Sequence, residues 1–215
     1  VTEQEGVIKF APQHTQARLP DDLDIAALNG WRTLLFRLQL VGQTPLRYEG
    51  AGYGNVSARV PPYPGERGRR RFIVTATQTG GTQVLSRDQY TLVSRYSVED
   101  NVVQSVGTLL PSSETMTHGT IYDLSPAIRV VLHVHAPEPW HARERLRLPT
   151  TSADAPYGTP QMAHEVIRLW QHGSLQDRRV FAMAGHEDGL IAFGRDAEEA
   201  GAALLNTCAA ALNKV

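Results

Sequence analysis

The sequence predicts an α/β fold in three layers, with a central mixed, largely antiparallel sheet flanked by helices. Two observations carry this expectation. Stretches with apolar residues at three-and-four spacing are interspersed along the chain with short runs of period two, and several connections between those runs read as hairpins. At 215 residues the chain can bury one α/β core, and nothing in it reads as an interdomain linker. One domain over 20–215 is expected, preceded by an arm at 1–19.

That arm lacks periodicity, and its Val7, Ile8 and Phe10 are candidates for packing on a neighbour. From Pro20 the pattern turns helical: Asp21 or Asp22 caps a stripe of Leu23, Ala26, Ala27, Trp31, Leu34, Leu35 and Leu38 that runs up to Gly42. GAGYGNVSARV is a glycine-punctuated turn entering a strand with Val56, Ala58 and Val60 in alternation. PPYPGERGRRR then loops to a partner strand at 72–76. Its run of Arg67, Arg69, Arg70 and Arg71 reads as a solvated hairpin tip. After TGG, Ser86 and Asp88 open a short helical turn, and strands are expected at 90–93 and 98–103. Ser112 or Ser113 caps a helix from about Glu114 to Leu124. A strand from Ile128 follows, then a proline-broken stretch. Thr159 and Pro160 start a helix ending near His172 and Gly173, and strands at 180–184 and 190–193 flank GHEDG. Asp196 caps a final alanine-rich helix to about Asn213.

Composition narrows the function classes. A hydrophobic fraction of 41%, 20% charged residues and a net charge of −1 give no global basicity for nucleic acid. The 19 Arg against 2 Lys is a skew that genome composition can equally produce. No apolar run approaches the length of a spanning helix, and the polar start VTEQEG is not a secretory signal. Cys208, the single cysteine, excludes an intrachain disulfide framework and a multi-cysteine zinc site. A cytoplasmic protein with no membrane or nucleic-acid partner is expected.

The chemistry gathers in Pro111–Ala136. His133 and His135 alternate with Leu132 and Val134, so a strand would point both imidazoles to one face, where two ligands can converge on one ion. Glu114 and His118 stand at i and i+4 on one helix face. His186 lies in the loop after an apolar strand. If that strand neighbours the one bearing His133 and His135, three imidazoles and the Glu114 carboxylate meet, which suits a catalytic metal with one exchangeable position. His118 is assigned a supporting role, and His14, His141, His164 and His172 are expected at the surface.

These motifs resemble the class II aldolase/adducin family in order from Asp21 to the chain's end: GNVSAR at 54–59, TGG at 79–81, PSSE at 111–114, HVH at 133–135, YGTP at 157–160 and GHEDG at 185–189. The resemblance implies His133, His135 and His186 as ligands of Zn2+ or another divalent metal such as Mn2+, Co2+ or Fe2+. It makes Glu114 an acid/base that also ligates the resting ion, and Asn55, Thr79, Gly80, Ser112 and Ser113 the lining of a substrate-phosphate pocket. It further implies an aldolase-like lyase acting through a metal-stabilised enediolate on a small sugar-phosphate-like substrate, in a homo-oligomer, commonly a tetramer. A 4-epimerase, dehydratase or decarboxylase would use the same ligands, and an adducin-like interaction module would need no metal. Two departures stand out. Glu187 and Asp188 intervene between His186 and Gly189, and the segment 136–156 lacks the tyrosine that family aldolases use as proton donor.

Overall fold

The computed structural model describes residues 5–213, so the arm's first four residues lie outside the described residues. In chain order come β1 (Ala11–Gln16), α1 (Ala26–Arg37), the two-residue strands β2 (Gly42–Gln43) and β3 (Gly52–Tyr53), then β4 (Asn55–Arg59), β5 (Phe72–Thr75), β6 (Tyr90–Ser97) and β7 (Val102–Gly107). The second half holds α2 (Thr115–Leu124), β8 (Val130–His135), α3 (Pro137–His141), α4 (Pro160–His172), α5 (Leu175–Arg178), β9 (Val180–Ala182), β10 (Gly189–Gly194) and α6 (Ala197–Leu212). Eight strands form one sheet in the order β1-β7-β6-β5-β4-β8-β10-β9, while β2 and β3 pair separately. Every pairing in the large sheet is antiparallel except β1 with β7. This is the expected mixed, largely antiparallel sheet between helices.

Each face of the sheet has its own core. Val56, Ile73, Leu132, Val134, Leu190 and Ala192 pack with Leu28 and Leu35 of α1 and Leu204 of α6 on one side. On the other, Phe72, Val74, Val131, Ile191 and Phe193 pack with Met116, Ile121 and Tyr122 of α2 and Met162, Val166 and Leu169 of α4. Each such apolar side chain taken fully from water contributes about 1.5–3 kcal/mol. The period-2 rule therefore decides where the chemistry lies. Leu132 and Val134 fill the first core, which leaves His133 and His135 on the α2 side.

Several boundaries differ from expectation. α1 starts at Ala26, whose N–H donates to Asp24 Oδ1 at 2.8 Å, rather than at Asp21 or Asp22. β7 starts at Val102, because residues 98–101 make the turn out of β6. Neither Ser112 nor Ser113 caps α2 with its side chain: Glu114 is the N-cap residue, and the Ser112 carbonyl takes the Thr115 N–H at 3.1 Å. Within the stretch expected as an arm, Phe10 is buried in the second core and β1 adds a parallel strand at the sheet edge. An edge strand exposed on both faces has no alternation to betray it, and the side chains of β1 are almost all exposed. Thr159 and Asp196 do cap their helices, accepting from the N–H groups of Met162 (3.3 Å) and Glu199 (2.7 Å).

Candidate metal centre

β8 lies between β4 and β10, with Asn55 opposite His133 on one side and Ile191 opposite His133 on the other. Gly189 pairs with His135, so the β9–β10 turn carrying His186 sits at the same end of the sheet. That turn is tight: His186 N–H donates to Met183 C=O (3.1 Å), and Gly189 N–H donates back to His186 C=O (3.0 Å). The ring of Tyr157 stacks on His186 with centroids 4.5 Å apart. Sheet topology thus brings together what 50 intervening residues separate, and the ligating atoms of His133, His135 and His186 lie within 4.8 Å of one another. All three histidines are buried.

Glu114, at the start of α2 and only 1% exposed, projects into this cluster. Its Oε2 is 2.7 Å from His133 Nε2, its Oε1 is 3.3 Å from His186 Nδ1, and Asn55 Nδ2 donates to Oε2 at 3.3 Å. Burial alone would raise its pKa. The contacts with His133 and then His186 outweigh it and hold the carboxyl well below the usual range. His135 is pushed well below its ordinary value by burial and by the neighbouring His186 and His133. His186 moves the other way: burial would lower it, but Glu114 and Glu5 raise it to about 10. His133 Nδ1 lies 3.1 Å from the Leu190 carbonyl, a contact that orients the ring with Nε2 toward the cluster.

The donor set suits a cation. His135 Nδ1 and Nε2 are buried without a hydrogen-bond partner, and His133 Nε2, His186 Nδ1 and Glu114 Oε1 are buried beside them with only the contacts between Glu114 and the two imidazoles. Each unpartnered ring nitrogen costs about 1–3 kcal/mol. Convergent lone pairs on nitrogen and carboxylate oxygen are what a divalent ion of the zinc type binds. His118 does not join them. Its Nδ1 pairs with Ser57 Oγ at 2.7 Å, the same hydroxyl meets Tyr122 at 2.7 Å, and burial lowers His118 to about 3. It supports α2 against β4.

Asn55, Thr79, Gly80, Ser112 and Ser113 line a single cavity of about 660 Å³ beside the cluster. Gly54, at φ +73°, allows the bend that sets Asn55 opposite His133; a Cβ there would lie 2.6 Å from the Val41 side chain. Arg32, buried on α1, holds the TGG turn by donating to the carbonyls of Thr79 (3.1 Å), Gln83 (2.8 Å) and Thr82. Sequence reasoning passed over Arg32, although its position between Leu28 and Leu35 puts it on the buried helical stripe.

A second cavity of about 750 Å³ opens on the other side, lined in part by Glu5, Arg47, Tyr48, Trp140, Tyr157 and Asp188. Here Tyr48 donates to Asp188 Oδ2 (2.7 Å), accepts from Arg47 (2.7 Å), and stands edge-on to His135 with centroids 4.6 Å apart. Burial, then the bond to Asp188, raises the Tyr48 phenol pKa. Arg47 and Tyr48 lie in an aperiodic loop that carries no sequence signal. Asp188 had one, as an extra residue between His186 and Gly189. Of the remaining histidines, His141, His164 and His172 are exposed, and His14 is half-buried with Nδ1 2.9 Å from Ser105 Oγ.

Fold and cluster together define a mixed α/β protein with a buried centre of three histidines and one glutamate suited to a divalent cation. Residues 46–211 match the family described as Class II Aldolase and Adducin N-terminal domain, and the chain belongs to that family. Its fold is similar to L-fuculose-1-phosphate aldolase from Thermus thermophilus (TM-score 0.61, 17% identity, 86% of this chain and 89% of that one). It is also similar to a sugar-phosphate aldolase from Thermotoga maritima (0.60, 16%, 86% and 90%) and to the N-terminal class II aldolase domain of a conserved protein from Thermoplasma acidophilum (0.57, 18%, 92% and 96%). No curated protein matches the sequence.

Proposed function

We propose that the protein is a divalent-metal-dependent, aldolase-like lyase that cleaves or forms a C–C bond in a small phosphorylated hydroxy-carbonyl compound. The observation that carries this is the convergence of three buried imidazoles, two of them in contact with Glu114, beside the cavity lined by Asn55, Thr79, Gly80, Ser112 and Ser113. His133, His135 and His186 hold the ion, with Glu114 as an exchangeable fourth ligand. When bound, the cation supplies Lewis-acid stabilisation of negative charge developing on the substrate's carbonyl and neighbouring hydroxyl oxygens.

The chain's own groups do the rest. The hydroxyls of Ser112 and Ser113, the Asn55 amide and the TGG turn bind the phosphate, helped by the start of α2. Glu114, kept ionised by His133 and His186, takes and returns the substrate's proton. Tyr48, whose ring edge meets His135 and whose hydroxyl hydrogen rests on Asp188, serves as the proton donor that the segment after β8 does not supply, turning that hydrogen from Asp188 to the substrate. Assembly as a homo-oligomer and a cytoplasmic setting belong to the same proposal and rest on the family. Among the described residues no helix is long and apolar enough to cross a membrane.

Metal analysis coupled to a retro-aldol screen over sugar phosphates, with product identification, tests it. Two carbon fragments support the lyase. An epimer, a dehydrated product or CO2 would assign the same centre to one of the other enediolate reactions. Protein that neither carries nor binds a divalent metal would return the chain to the metal-free interaction module.

A further inference from the structure

The segment at residues 5–8 runs across the centre. Glu5 lines both cavities, Val7 and Ile8 line the one beside Ser112, and the Val7 N–H donates to the Tyr157 hydroxyl at 3.0 Å. The Glu5 carboxylate is directed at the imidazoles: Oε2 is 2.6 Å from His186 Nε2 and Oε1 is 3.8 Å from His135 Nε2, and the side chain is only 10% exposed. Glu114 meets His133 and His186; Glu5 meets His186 and His135. Two carboxylates therefore bracket three histidines, one from the core helix and one from a segment outside the core, where Val7 is 41% exposed.

We infer that Glu5 is a further, exchangeable carboxylate ligand of the metal centre, occupying the place that the substrate's oxygens take. This rests on the metal-centre reading above. Three features carry it. His135 has both ring nitrogens buried without hydrogen bonds, so the carboxylate beside it does not serve to satisfy that ring; its oxygens face the space where an ion would be shared. A carboxylate oxygen is an ordinary donor to zinc and its relatives. Finally, Glu5 is a wall common to both cavities, so its withdrawal joins the phosphate side to the side of Arg47 and Tyr48 and gives a substrate one continuous cleft. No equivalent separation would arise from Glu114, which is anchored in α2.

The test measures zinc affinity by chelator competition, and acetohydroxamate affinity on the zinc-loaded protein, for wild type, Glu5→Gln, Glu5→Ala and His133→Ala. Acetohydroxamate is a small bidentate oxygen chelator of metal centres. Loss of the Glu5 ligand should weaken zinc binding by about 10-fold, in the range seen when groups that support a metal site are removed. It should also tighten acetohydroxamate binding several-fold, because no internal carboxylate is displaced. Cobalt-loaded protein should change its visible absorption between wild type and Glu5→Gln, a readout independent of turnover. If zinc affinity is unchanged in both Glu5 variants, or acetohydroxamate binds no more tightly, the inference fails while the centre stands. If wild type and His133→Ala bind zinc equally poorly, the metal centre itself fails, and the inference with it.

Discussion

Glu114 Oε2 lies 2.7 Å from His133 Nε2 in a site where both side chains are almost wholly removed from water. A carboxylate at the start of α2 and an imidazole on the central strand β8 are thereby held in register by the packing of α2 on the sheet. The other Glu114 oxygen reaches His186, so one side chain joins helix, strand and loop. Removal of its charge tests its role as a base. Glu114→Gln keeps the shape and should retain zinc to within about 10-fold, while turnover on the substrate identified by screening falls by about 100- to 10,000-fold. Metal content measured alongside initial rates checks both; unchanged turnover would exclude Glu114 as the proton carrier.

His135 sets stability against function. Its two ring nitrogens are buried and unpartnered, so His135→Leu should raise the stability of the metal-free protein by about 1–3 kcal/mol while lowering zinc affinity sharply. Urea unfolding with a chelator present, and zinc titration without one, report the two effects. A variant less stable than wild type without metal would mean that the imidazole is satisfied by groups other than an ion.

Tyr48 presents a phenol that burial and Asp188 keep protonated. Tyr48→Phe should cost about 100-fold in turnover with zinc affinity unchanged, and Asp188→Asn should have a smaller effect in the same direction. Comparison of kcat with zinc affinity separates this from a ligand defect, since loss of metal would lower both.

His118 gives the stability a pH dependence. Burial holds it near 3 in the folded protein against an ordinary 6.5, so between those values the unfolded chain binds a proton that the folded chain does not. Its contribution is complete above pH 6.5 and is lost as pH falls toward 3, at about 1.4 kcal/mol per unit. His118→Asn preserves a partner for Ser57 and should flatten the fall in urea midpoint between pH 6.5 and 4.5. An unaltered slope would place the proton uptake elsewhere.

Local pattern carried a large part of the fold and of the candidate site. The alternation through 130–135 put both histidines on one face, because a strand's side chains have no other option, and Thr159 and Asp196 announced their helices through a cap chemistry that acts within four residues. Where two cues competed, pattern misled: Ser112 and Ser113 look like caps, but both residues line a cavity and backbone contacts serve α2 instead.

The residues alone determined the mixed α/β class, the paired imidazoles of β8 and the acid at the head of α2, since periods of 2 and 3.6 are properties of the backbone that a sequence displays directly. Only the tertiary structure decided that β10 lies beside β8 and so delivers His186, that Arg32 props the TGG turn, and that Glu5 and Tyr48 reach the same centre from aperiodic segments. Those contacts join positions separated by as many as 181 residues. Which distant surfaces meet is set by the summed burial of two cores, and that sum has no counterpart in any short stretch of sequence.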